Sequence, residues 1–124
     1  MRTNYALVIA DSPENAGKFL RVLNQAGFHV LAVTTGARAQ VQLAFTNPDL
    51  IVLDLNLPDM NGEVILRHIK AHSRLNQARL ILLVEDTQTT EIANDLVDLT
   101  LLKPIGSNQL HDLAISLQSV EITV

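Results

Sequence analysis

Pro48-Asp49-Leu50-Ile51-Val52-Leu53-Asp54-Leu55-Asn56-Leu57-Pro58-Asp59-Met60-Asn61-Gly62 is the stretch that decides the fold of this chain. Asn47-Pro48 stops whatever precedes it, because proline pushes the residue before it out of helical conformation. The unbroken apolar run Leu50 to Leu53 then reads as a strand covered on both faces, as strands of a parallel sheet are. Asp54 stands at its carboxyl end, and a carboxylate suits the lip of a sheet better than its core. Pro58, Asn61 and Gly62 turn the chain into a helix predicted from about Asn61 to Ala71.

The flanking segments repeat this alternation. Tyr5 to Ala10 is a second continuous apolar run, ending at Asp11. Ser12 can cap a helix, Pro13 suits its first turn and Glu14 favours the positive end of its dipole. Ala16, Phe19, Leu20, Leu23 and Ala26 share one helical face, which Gly27 closes. Phe28 to Val33 reads as a strand, and Thr34-Thr35-Gly36 leads into a helix through Ala39, Val41, Leu43 and Ala44. Ser73 to Ala78 reads as a polar connection before the buried strand Leu80 to Val84 and the turn Glu85-Asp86-Thr87. Ile92, Ala93, Leu96 and Val97 suggest a short helix. Leu99 to Leu102 is the last strand, ended by Lys103-Pro104. Leu110, Leu113, Ala114 and Leu117 give the final helix its i, i+3, i+4, i+7 pattern.

Five strand–helix alternations predict an α/β fold with helices on both faces of a parallel sheet. Right-handed crossovers leave few topologies, and the flavodoxin-like, doubly wound order 2-1-3-4-5 is the one expected for five units. In that order Asp11 and Asp54 are neighbours at the switch point, and Lys103 arrives from the last strand. Residues 1–124 are expected to form a single domain, large enough to bury about two-thirds of its unfolded-chain surface.

Composition narrows the function classes. Apolar residues make up 48 % of the 124 residues and aromatics only 3 %, so Leu, Ile, Val and Ala must build the core. The chain has no cysteine, which excludes disulfides and thiolate metal sites. No apolar run approaches the roughly 20 residues that span a bilayer, and the N-terminus lacks a signal-peptide pattern, so a cytoplasmic, membrane-free protein is expected. A net charge of −4 with nine scattered basic residues argues against direct nucleic-acid binding by this domain.

Two carboxylates brought together repel unless a cation joins them, and Mg²⁺ takes hard oxygen ligands while keeping water for a phosphate to displace. A lysine beside them can neutralise a phosphoryl group, and an aspartate can accept that group covalently. Taken singly, each residue has a plainer reading: an aspartate after a strand as a helix cap, Lys-Pro as a turn. Their convergence in one crevice is what points to a site. A haloacid-dehalogenase-type phosphatase would want a second acid two residues after Asp54, where this chain has Asn56. A flavodoxin would want a Thr/Ser/Gly-rich loop after the first strand, where this chain has Asp11-Ser12-Pro13-Glu14. No GxxxxGK[ST] sequence exists for a P-loop.

From end to end the chain resembles the receiver domains of two-component response regulators, most specifically from Pro48 through Gly62. The resemblance implies that Asp54 is the phosphoacceptor, Asn56 a metal ligand through its backbone carbonyl, Asp11 a metal-site acid, and Lys103 the site lysine. It also implies a cis bond before Pro104. Mg²⁺ is the implied cofactor, and a sensor histidine kinase or phosphotransfer protein the implied phosphodonor. Such a chain takes the phosphoryl group onto itself and slowly hydrolyses it, rather than turning over substrate as a conventional enzyme. An output domain, a protein target and a homodimer are all compatible with the family. The partner surface by analogy comprises the Ile92–Val97 helix, the last strand and the last helix.

Three positions depart from the family pattern. Ala10 stands where a second acid is usual, Val84 where Ser or Thr ends the fourth strand, and Thr100 where an aromatic switch residue precedes Lys103. Loss of a hydrogen bond to a charged phosphoryl group, worth about 1.5–3 kcal/mol, would weaken the phosphate-driven population shift roughly 10- to 100-fold. Two readings follow: an atypical phosphorylatable receiver, or a pseudo-receiver that binds protein without phosphorylation. Glu85 and Asp86 likewise have two readings. They are solvated turn residues, or one of them compensates for the acid missing at Ala10.

Overall fold

The computed structural model describes residues 4–85 and 97–122, excepting the side chains of 107 and 117–122. Five strands, β1 (Tyr5–Ile9), β2 (His29–Val33), β3 (Leu50–Asp54), β4 (Arg79–Val84) and β5 (Leu99–Leu102), form one parallel sheet in the order β2-β1-β3-β4-β5. This is the expected doubly wound topology. Of the predicted helix over Ile92–Val97 all but Val97 lies outside the described residues, as does Asp86; Val97 itself is not helical and packs against the core that holds Leu82 and Val84.

Every residue of β3 is buried, which is why its sequence shows no polar alternation. Along β3 and β4 alternate side chains enter two separate cores. Ile51, Leu53, Leu82 and Val84 pack on one face with α2 (Gly36–Phe45) and α3 (Gly62–Ala71). Val52, Ile81 and Leu83 pack on the other with α1 (Pro13–Gln25) and α5 (Ser107–Ile122). Burying each such side chain stabilises the fold by about 1.5–3 kcal/mol relative to exposure.

Ser12 caps α1 as expected, and Thr35 and Asn61, read as turn residues, prove to cap α2 and α3. Ser12 Oγ accepts the Asn15 N–H at 3.3 Å, Thr35 Oγ1 the Arg38 N–H at 3.2 Å and Asn61 Oδ1 the Glu63 N–H at 2.9 Å. Gly27 after α1 takes φ +97°.

The segment read as a polar connection differs. Ser73–Asn76 forms a one-turn helix, α4, with Leu75 fully buried. Arg74 holds it in place, donating to the carbonyls of Leu43 (2.7 Å) and Thr46 (2.6 Å) and so satisfying the open end of α2. One leucine and one guanidinium, with no helical periodicity, suffice to dock a single turn.

Candidate functional site

At the carboxyl edge of the sheet, four segments meet. Asp11 follows β1, Asp54 ends β3, Glu85 follows β4 and Lys103 follows β5. Asp54 is fully buried, and a buried carboxylate requires partners for its charge. Lys103 Nζ donates to Asp54 Oδ2 at 2.7 Å, the Asp11 N–H to the same oxygen at 3.2 Å, and the Asn56 N–H to Oδ1 at 2.9 Å. Lys103 also reaches Asp11 Oδ2 at 3.1 Å and stands 3.8 Å from Glu85 Oε1. Asn15, which the sequence reading passed over, donates to Asp11 Oδ1 at 2.7 Å. Its signal was its place in the first turn of α1, four residues after Asp11.

Burial pushes the Asp54 carboxyl above its ordinary value, and the nearby Asp11 charge adds to this. Lys103 and the Asn56 N–H offset only part of it. Desolvation also raises Asp11, but hydrogen bonds from Asn15 and Lys103 outweigh it and hold that carboxyl below its ordinary value. Lys103 loses solvation too, yet its two aspartate partners raise it, so it stays a cation. The site therefore has more negative charge than its one lysine neutralises.

The loop from β3 to α3 is closed on itself. Asn56 and Asn61 pair as an isolated antiparallel bridge, and the Gly62 N–H donates to the Leu55 carbonyl at 2.7 Å. Gly62 is required by contact: a Cβ there would run into the Asp54 carbonyl oxygen. The Lys103–Pro104 bond is cis, as the resemblance implies.

The side chains of the positions read as atypical switch residues belong to the opposite face of the sheet, although the Lys103 N–H donates to the Val84 carbonyl at 2.8 Å. Val84 is fully buried in the core beside α3, and Thr100 pairs in register with Leu82, which belongs to that same core. Asp54 pairs in register with Leu83, which faces the other side. Among the described residues the buried Thr100 hydroxyl has no hydrogen-bond partner. On the Asp54 side, a groove of about 420 Å³ runs from Lys103 and Glu85 past Lys18 and Phe19 to Ile105 and Leu110.

The donor set fits a hard cation. Among the described residues no three His, Cys, Asp or Glu side chains converge as ligands, so a metal would draw on Asp11, Asp54 and a backbone carbonyl, with water completing its shell. Among the described residues no helix is long and apolar enough to cross a membrane.

An acid pair and a lysine at the switch point of a five-stranded, doubly wound sheet make a site suited to a hard cation and a phosphoryl group. Comparison with known proteins carries this further. The chain belongs to the response regulator receiver domain family, whose model matches residues 6–115, and is thus a receiver domain of two-component signalling. It is similar to the DNA-binding response regulator MtrA of Mycolicibacterium smegmatis, with 31% identity over 84% of this chain and 46% of that protein. It therefore spans about half the length of such relatives. The signal receiver domain of a signal transduction histidine kinase from Syntrophus aciditrophicus superimposes with a TM-score of 0.77 at 28% identity, over 94% of this chain and 91% of that one. The chemotaxis response regulator CheY4 of Vibrio cholerae, at 19% identity and a TM-score of 0.82 over 94% and 99% of the two chains, shares the fold.

Proposed function

We propose that this domain accepts a phosphoryl group on Asp54 from a phosphohistidine of a kinase or phosphotransfer protein, and later loses it by hydrolysis. The observation that carries this is the buried Asp54 carboxylate held at 2.7 Å by Lys103, with Asp11 on the same lysine. An Asp54 oxygen attacks phosphorus as the phosphorus–nitrogen bond to the donor imidazole breaks, and that nitrogen leaves with the electron pair. Asp54 has no exposed surface, so Lys103 turns away as the donor enters and then neutralises a phosphoryl oxygen. Asp11, Asp54 and the Asn56 carbonyl would hold Mg²⁺, which supplies neutralisation of charge shared by the carboxylates and the phosphoryl oxygens. The groove lined by Lys18 and Phe19 is the entry for the donor, while Leu99 and Leu102 of β5 and Ile115 of α5 expose apolar surface for an output partner or a second copy.

Incubation with Mg²⁺ and a small phosphodonor, followed by intact-mass spectrometry, tests the reading. One phosphoryl adduct is expected. No adduct under conditions that label an ordinary receiver leaves the second reading, a phosphorylation-independent binding module. Val84, fully buried and without a hydroxyl to donate to a phosphoryl group, favours that reading for the switch.

Glu85 restores the charge, not the ligand, of the acid absent at Ala10. Ala10 is fully buried, whereas Glu85 approaches Lys103 from the groove, so three carboxylates still surround one lysine. Glu85→Gln is expected to weaken Mg²⁺ binding about threefold, the scale of a screened, exposed charge worth up to about 1 kcal/mol. Unchanged Mg²⁺ affinity and dephosphorylation rate would return Glu85 to a solvated turn residue.

A further inference from the structure

Asp59 sits at the tip of the loop that carries Asn56, yet its contacts are on another element. Its Oδ1 accepts the Gly36 N–H at 2.8 Å and its Oδ2 the Ala37 N–H at 3.0 Å, so one carboxylate caps the first two residues of α2. The first turn of α2 holds no acidic residue of its own, and Thr35 satisfies only the Arg38 N–H. The favourable charge at the positive end of this helix thus comes from a segment 22 residues away. Met60 seals the same junction, lying so close to Gly36 that a Cβ there would overlap its thioether. On its near side the loop is fixed by the Asn56–Asn61 bridge and by the Asn56 N–H bond to Asp54.

We propose that Asp59 is a positioning residue for the metal. By anchoring the loop tip to α2 it holds the Asn56 carbonyl in place for Mg²⁺, an inference that rests on the Asp54 phosphoacceptor reading above. Partners that orient metal ligands from outside the first coordination shell are typically worth 10- to 100-fold in affinity. Thr35 supplies the control, because its hydroxyl caps the same helix end through the Arg38 N–H rather than through a bond to the loop.

Three variants distinguish a positioning role from simple helix capping. Asp59→Ala and Thr35→Ala are both expected to lower the melting temperature. Only Asp59→Ala is expected to raise the Mg²⁺ dissociation constant, by about 10-fold in calorimetric titration, and to speed amide exchange of residues 55–61 in the metal-free protein. Asp59→Asn, which keeps one acceptor oxygen, is expected to fall between wild type and alanine. Labelling of Asp59→Ala by the phosphodonor should recover at saturating Mg²⁺, since the chemistry itself is untouched. Wild-type affinity and wild-type exchange in Asp59→Ala, with only the thermal loss that Thr35→Ala shows, would overturn the proposal while leaving the phosphoacceptor reading standing. A wild-type protein that binds no Mg²⁺ overturns both.

Discussion

Asp54→Asn is expected to carry no phosphoryl adduct, and in the metal-free state to melt at a higher temperature than wild type. The first result follows from chemistry: the amide oxygen is a poor nucleophile, and among the described residues no other carboxylate is buried. The second follows from electrostatics. Asp54 has a folded-state pKa above its unfolded value, because burial and Asp11 disfavour the anion more than Lys103 favours it. For an acid shifted upward the cost of folding is present above the folded pKa and disappears as pH falls through it. Substitution by the neutral amide removes that cost, while Lys103 keeps Asp11 at 3.1 Å and Glu85 at 3.8 Å. The gain in melting temperature is therefore largest at neutral pH and shrinks on acidification. Intact-mass spectrometry reads the first effect and thermal melts across pH the second. An adduct persisting in Asp54→Asn would move the acceptor elsewhere, and a variant no more stable than wild type at pH 7 would mean Lys103 fully compensates the buried charge.

How much of this was legible in the sequence follows from the range of the forces involved. Continuous apolar runs mark strands buried on both faces, and the topology rule then gathers their carboxyl ends, so Asp11, Asp54 and Lys103 could be placed together without coordinates. Ser12, Thr35 and Asn61 cap their own helices, which is local chemistry and equally readable. What could not be read depends on which elements touch. Nothing in Asp59 distinguishes it from an ordinary turn acid until α2 is seen against the loop tip. Arg74 and Leu75 look like a polar linker until the end of α2 is seen to need donors. Strand register separates two positions adjacent in sequence: Val84 points into the core beside α3, while Glu85 lies by Lys103. Glu85 comes to stand 3.8 Å from Lys103, 18 positions further along the chain, a proximity that only the pairing of β4 with β5 brings about.

Gly62→Ala is expected to be the most damaging single-methyl change in the described fold, costing about 3 kcal/mol or more, or roughly 10 °C in melting temperature for a domain of this size. The added Cβ meets the Asp54 carbonyl oxygen and the Leu55 Cα, both backbone atoms of the segment that carries the acceptor. Neither can rotate aside. Relief requires α3 to lift from β3, which breaks the 2.7 Å bond from the Gly62 N–H to Leu55 and withdraws Ile65 and Leu66 from the core. Gly36→Ala presents the opposite case, because the three atoms nearest its added Cβ all belong to the Met60 side chain, whose three rotatable bonds let it move. Its cost should be about 1 kcal/mol, near the median for single substitutions. Urea unfolding of the two variants beside wild type measures the contrast. Equal losses would mean that α3 slides along β3 as easily as a methionine changes rotamer, and the close approach at Gly62 would then not be what fixes the acceptor loop.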